Sequence, residues 1–104
     1  MQWLALEKLI NLHDGYRRLV QVNGEVLLLL QESGSCHLVG ARCPHYGQSL
    51  EAASVSDGYI VCPMHGYRFS VENGRGFDGA GDRVSCALPI RGLEFRDNEV
   101  GLWL

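Results

Sequence analysis

The longest apolar run in the chain is Val26-Leu27-Leu28-Leu29-Leu30, bounded by Glu25 and Gln31. It is far too short to cross a bilayer as a helix, which needs about 20 apolar residues. It also lacks the apolar/polar alternation of a strand with one wet face. The run reads instead as a strand covered on both faces, at the centre of a small sandwich or barrel.

Around the run the pattern is strands and tight turns, with little helical periodicity. Residues 16–22 read as a strand, Asn23-Gly24 as a hairpin turn, and residues 25–31 as its partner. Ser33-Gly34-Ser35 turns the chain into a strand over 36–41, and Asp57-Gly58 into a short strand over 59–61. Glu72-Asn73-Gly74 separates 68–71 from 76–77. Residues 88–95 and 99–104 flank Arg96-Asp97-Asn98, which predicts a hairpin with a three-residue link. Residues 4–12 fit a helix and a strand followed by a loop equally well. The fold class expected is all-β: an antiparallel sandwich of small sheets, in one domain spanning 1–104.

Composition excludes several classes of function. Apolar residues make up 46% and charged residues 20%, which suits a folded core and not a disordered chain. A net charge of −3 without a long run of one sign favours neither nucleic acid nor an anionic membrane as partner. Met1-Gln2-Trp3-Leu4 is not a basic-then-apolar leader, so a cytoplasmic, reducing location is expected. In that setting the four cysteines are metal ligands or free thiols before they are disulfides.

Two Pro/Gly-interrupted intervals, about 42–50 and 61–69, carry the chemistry. The first holds Cys43-Pro44-His45-Tyr46-Gly47 and the second Cys62-Pro63-Met64-His65-Gly66, so C-x-H is followed after sixteen residues by C-x-x-H. Two Cys and two His could hold one tetrahedral zinc ion. Zinc modules, however, usually pair Cys with Cys and His with His, whereas here each loop gives one of each. That mixture suits a binuclear centre, with both thiolates on one metal and both imidazoles on the other. Cys36 and Cys86 stand outside the loops and read as packed free thiols; His13 and His37 read as surface or packing residues.

The paired loops resemble those of the Rieske family, together with the lead-in Asp57-Gly58-Tyr59-Ile60-Val61 and the closing hairpin. The resemblance covers nearly the whole chain. It implies a Rieske fold and one [2Fe–2S] cluster, with Cys43 and Cys62 on the inner iron and His45 and His65 on the outer one. Gly47 and Gly66 would let the backbone turn its N–H groups toward the sulfurs, while Pro44 and Pro63 stiffen the loops. Two neutral imidazoles in place of two thiolates leave the site less negative, which raises the potential above the roughly −400 mV of four-Cys clusters. Within the family, high-potential members carry an additional Cys in each loop, joined as a disulfide; the matching positions here are Gln48 and Met64. They also carry a Ser and a Tyr that donate to sulfur, where this chain has Tyr67 and Phe69. The resemblance therefore implies a low-potential centre.

No Ser/His/Asp arrangement or phosphate loop stands out, and Glu94, Asp97 and Glu99 suit a solvated turn. The chain is expected to be an electron-transfer component and not itself an enzyme. Such a ferredoxin would pass single electrons from a flavin-dependent reductase to the terminal oxygenase of a ring-hydroxylating dioxygenase system. Its docking tip would comprise Pro44, His45, Tyr46, Pro63, Met64, His65 and Tyr67, with Arg42 and Arg68 nearby. Three alternatives predict different behaviour. A small subunit of an assimilatory nitrite reductase would be held by a sirohaem partner, a zinc-binding interaction module would be colourless, and a redox-sensing regulator would switch partner on oxidation.

Overall fold

The structure is a computed structural model that describes all 104 residues. Twelve strands form three antiparallel sheets. The middle sheet has the order β10-β4-β3-β2, built from β2 (Arg17–Val22), β3 (Glu25–Glu32), β4 (Ser35–Gly40) and β10 (Ile90–Arg91). A terminal sheet, β1-β12-β11, joins β1 (Trp3–Lys8), β11 (Glu94–Arg96) and β12 (Glu99–Trp103). The third sheet runs in chain order through β5 (Ser54–Ser56), β6 (Tyr59–Val61), β7 (Arg68–Ser70), β8 (Arg75–Phe77) and β9 (Arg83–Ala87). The all-β expectation holds.

The leucine run explains the layering. Leu27, Leu28, Leu29 and Leu30 are all fully buried, but they belong alternately to two cores. Leu28 and Leu30 pack with Ile60, Phe69, Cys43 and Cys62 on the side of the five-stranded sheet. Leu27 and Leu29 pack with Val100 and Leu102 of the terminal sheet. Because side chains alternate along a strand, one stretch of four apolar residues fills both layers. Burying each contributes about 1.5–3 kcal/mol. The middle sheet is thus the septum on which the other two are mounted.

Two-residue turns fix its register. Asn23 and Gly24 have φ of 51° and 80°, and Ser33 and Gly34 have 50° and 77°, so both central positions are left-handed. That is the type I′ pattern, whose twist matches the strands it joins. Asp57-Gly58 repeats it at the β5–β6 hairpin, at φ 54° and 82°.

Several sequence expectations need correction. Residues 88–95 are not one strand, because β10 pairs with β4 while β11 pairs with β12. No straight strand can serve both sheets, so the chain breaks at Gly92-Leu93 and crosses over. The closing link has two residues and not three: Asp97 and Asn98 take φ of 49° and 69°, and Arg96 pairs with Glu99. The ambiguity over residues 4–12 resolves as strand β1 followed by a 3-10 turn, Leu9–Asn11, because β12 supplies a pairing partner. The carboxylate of Glu7 anchors this segment. It accepts from Asn11 Nδ2 at 3.0 Å, Tyr16 Oη at 2.6 Å and the Lys8 N–H at 2.8 Å, with Arg18 at 3.3 Å.

Candidate metal centre

Both Cys/His loops leave the end of a strand or a bridge, and both close in the same way. After β4 the chain forms an isolated bridge between Arg42 and Ser49, which encloses the first loop. Within it the Cys43 N–H donates to the Gln48 carbonyl at 2.8 Å. After β6, the Cys62 N–H donates to the Tyr67 carbonyl at 2.7 Å. Each closure spans five residues and turns on a glycine just before the acceptor, Gly47 at φ 74° and Gly66 at φ 70°. A side chain would be strained at either position. The same strain is present without relief at His65, a non-glycine at φ 66°. Backbone strain of that kind gathers where a side chain must be aimed. Arg42 stiffens the first loop by donating from Nη1 to the Gly47 carbonyl at 2.9 Å.

The loops separate sulfur from nitrogen. Cys43 and Cys62 are buried at 1% exposure each, in the core that includes Leu28 and Phe69. Their side chains share that core, close enough for the Cys43 thiol to influence that of Cys62. Burial, followed by that influence, pushes the Cys62 thiol up, although a hydrogen bond from the Met64 N–H opposes the shift. A buried pair in that setting holds thiolate charge only beside a compensating cation. His45 and His65 are exposed, their rings 6.1 Å apart and nearly perpendicular. No three His, Cys, Asp or Glu side chains converge as one ion's ligands would. The division into a buried thiol pair and an exposed imidazole pair fits a group with two metals, each taking one pair of donors.

The surrounding residues fall mostly where the sequence placed them. Pro44, Tyr46, Pro63 and Met64 are exposed beside the histidines, Tyr46 at 61% and Met64 at 43%. Tyr67 is half-buried and lies flat against His45, with ring centroids 3.8 Å apart and planes 8° from parallel. Phe69 is fully buried beneath the loops and touches the backbone at Gly76, where a Cβ would stand 2.6 Å from its ring. It brings no hydroxyl to the sulfurs. Cys36 and Cys86 are both free and half-buried, Cys36 donating to Gln31 Oε1 at 3.4 Å. His13 is exposed, while burial pulls the half-buried His37 down.

One element escaped the sequence reading. The turn from Asp78 to Asp82 backs the second loop, close enough that a Cβ on Gly79 would stand 3.1 Å from the His65 carbonyl. Asp78 shapes it by accepting from the N–H groups of Ala80 and Asp82, each at 2.9 Å. The signal available was the spaced pair Gly79 and Gly81 after an Asp, a turn composition with no ligand in it.

Known proteins share both fold and sequence. A 64-residue segment is 36% identical to apoptosis-inducing factor 3 of Homo sapiens, covering 62% of this chain and 11% of that protein. Another, of 71 residues, is 35% identical to the ferredoxin component of the alkene monooxygenase system of Xanthobacter autotrophicus, covering 67% of this chain and 58% of the relative. The chain thus spans a small part of the first relative and little more than half of the second. The ferredoxin of carbazole 1,9a-dioxygenase from Nocardioides aromaticivorans superposes with a TM-score of 0.81 at 17% identity, over 97% of this chain and 96% of that one, a likeness of fold. The family model described as the Rieske [2Fe-2S] domain matches residues 2–86, which takes in both loops and the sheet between them. With its thiols paired inside and its imidazoles outside, the chain belongs to the Rieske family, whose cofactor is a single [2Fe–2S] cluster.

Proposed function

We propose that residues 1–104 form one electron-carrying domain, and that Cys43 and Cys62 hold one iron and His45 and His65 the other. The observation that carries this is the segregation of donors: two thiols buried in one core and two imidazoles exposed 6.1 Å apart. When bound, the cluster supplies reversible one-electron storage. The protein's part is to keep water from the thiolate side through Leu28 and Phe69, and to hold the imidazole side at the surface through the strained turn at His65-Gly66. Pro44, Tyr46, Pro63, Met64 and Tyr67 surround the histidines as a largely apolar docking tip, suited to the small interfaces of electron transfer.

The relative that is the ferredoxin component of an alkene monooxygenase system supports a place as electron donor to a terminal oxygenase; a flavin-dependent reductase upstream and a cytoplasmic location complete the proposal. Phe69 without a hydroxyl, and Tyr67 with its ring committed to His45, leave the sulfurs few donors. A low potential follows, toward the lower end of about −150 to +300 mV. Anaerobic purification, metal analysis and an EPR-monitored redox titration test both statements. Two irons per chain with a midpoint below zero are expected. A colourless zinc protein refutes the carrier, and a midpoint well above zero refutes the donor argument.

A further inference from the structure

Seven of the chain's eight arginines lie on strands, and their partners divide by sheet; the eighth, Arg42, bonds the Gly47 carbonyl in the first loop. Arg17, Arg18, Arg91 and Arg96, all on the middle and terminal sheets, each lie within 4 Å of a carboxylate. Arg68, Arg75 and Arg83, on the five-stranded sheet, do not, and all three are exposed. Register places them on one face. Arg68 pairs with Phe77 and Phe77 with Arg83, so these three form a row across β7, β8 and β9. Arg75 precedes Phe77 by two residues on β8 and shares its face. The opposite face carries Ile60, Phe69 and Gly76, all buried in the core.

The five strands contain these three arginines and no Asp or Glu. Acidic groups occur only in the connecting turns: Asp57, Glu72, Asp78 and Asp82. The carboxylate of Asp78 is already engaged by two backbone N–H groups. The strands of this sheet thus carry positive charge only, in a protein with a net charge of −3, while the carboxylates lie at the strand ends, Asp57 at the edge of the cleft beside Arg68. Beside Arg68 the face is indented by a cleft of about 400 Å³, lined by Tyr59, Val61, Phe77, Ser56, Asp57 and Gly81. Tyr59 and Phe77 meet edge to face there at 5.9 Å.

We infer that this face, and not the apolar loop tip alone, receives an acidic surface of a partner protein, with carboxylates over Arg68, Arg75 and Arg83 and an apolar side chain in the Tyr59/Phe77 cleft. Charge complementarity selects the partner, since unpaired guanidinium groups set among aromatics suit carboxylate-bearing surfaces. Arg68 follows Tyr67 directly, so the arginine-bearing face continues from the loop that carries His65. Such a patch would steer a partner from a distance before short-range contacts form at the tip. Its purpose rests on the carrier reading, but its test does not, because charge recognition is measured without electron transfer.

The test is fluorescence anisotropy of a labelled ten-residue polyglutamate peptide, titrated with the cluster-loaded protein. Retention of the visible spectrum in each variant verifies folding. Single reversals R68E, R75E and R83E should each weaken binding about threefold to tenfold, as expected for exposed charge pairs. The triple variant should abolish binding, and raising salt from 20 to 200 mM should weaken the parent protein at least tenfold. The control R96E, on the terminal sheet, should leave affinity unchanged. Equal loss in R96E, a triple variant within twofold of the parent, or no binding at 20 mM salt would overturn the proposal. Tighter binding of a single-stranded ten-mer oligonucleotide would overturn it in favour of a nucleic-acid surface. Should the reversals fail to fold, the neutral set R68Q, R75Q and R83Q removes the same charges and is held to the same criteria.

Discussion

Leu28 and Leu29 are neighbours on one strand, both fully buried, yet they serve different cores. Truncating either to Ala removes three carbon atoms, a transfer loss of about 2.4 kcal/mol at roughly 0.8 kcal/mol per methylene. The cavity left behind adds to this, and core Leu→Ala changes span about 2–5 kcal/mol. Leu28 sits in a core cluster of 12 buried residues and Leu29 in one of 6, so the smaller core can collapse further around its gap. We expect about 4 kcal/mol for Leu28→Ala and about 3 kcal/mol for Leu29→Ala. At about 4–8 °C per kcal/mol for a domain of this size, both should melt at least 12 °C below the parent. The discriminating measurement is the cluster's EPR and visible circular dichroism. Leu28 shares its core with Cys43, Cys62 and Phe69, so Leu28→Ala should shift both spectra. Leu29→Ala should leave them unchanged while losing comparable stability. If Ala variants yield no folded protein, the milder Leu→Val pair carries the same contrast. Spectra altered by Leu29→Ala and untouched by Leu28→Ala would refute the two-core account.

The other predictions concern single contacts. Cys43→Ser, Cys62→Ser, His45→Ala and His65→Ala should each abolish a normally assembled cluster, read as loss of the reduced EPR signal; normal spectra in any one would remove that residue from the ligand set. Gly101→Ala places a Cβ 2.1 Å from the Leu4 carbonyl oxygen and should break the β1–β12 pairing, whereas Gly92→Ala meets nothing within 4 Å. Thermal melting of the two side by side should show a large loss only in the first. Hydrogen bonds from Asn11 and Tyr16, then that from the Lys8 N–H, hold Glu7 at about 2, below its ordinary 4.5, with Arg18 adding to them. A depressed carboxylate stabilises the fold above its unfolded value and loses that contribution as pH falls from about 4.5 toward 2. Discounted for exposure to water, this amounts to about 1–2 kcal/mol at neutral pH. Glu7→Gln should lose that much at pH 7 and show a flatter stability profile across the acid range in urea melts.

How much could be read beforehand depended on whether the signal was local. Asn23-Gly24, Ser33-Gly34 and Asp57-Gly58 announce type I′ turns in their own residues, and β2, β3 and β4 of the middle sheet followed from the first two. The four expected ligands were equally visible, since C-x-H and C-x-x-H are short-range patterns. Strand β1 was ambiguous because its partner lies at the other terminus, with Trp3 opposite Trp103. The short strands β5 and β9 mix polar and apolar residues and take their identity from neighbours in the sheet. The turn at Asp78–Asp82 supports His65 through backbone contact, which leaves no mark in side-chain chemistry. The sheet change at Gly92-Leu93 was hidden for a similar reason, because a strand pattern does not say which sheet it joins.

Four consecutive leucines carry a less evident implication. Sliding β3 by one position against its neighbours would exchange leucine for leucine at most core sites, so the apolar run by itself barely distinguishes the correct pairing from its nearest error. The discrimination falls to the hairpin turns at Asn23-Gly24 and Ser33-Gly34, at the opposite ends of β3. An error there would propagate along β4, which ends at Gly40, three residues before Cys43. One step of strand is about 3.3 Å, longer than a metal–thiolate bond at roughly 2.3 Å. The alignment of the proposed metal donors is thus set partly by glycines in turns that contain none of them.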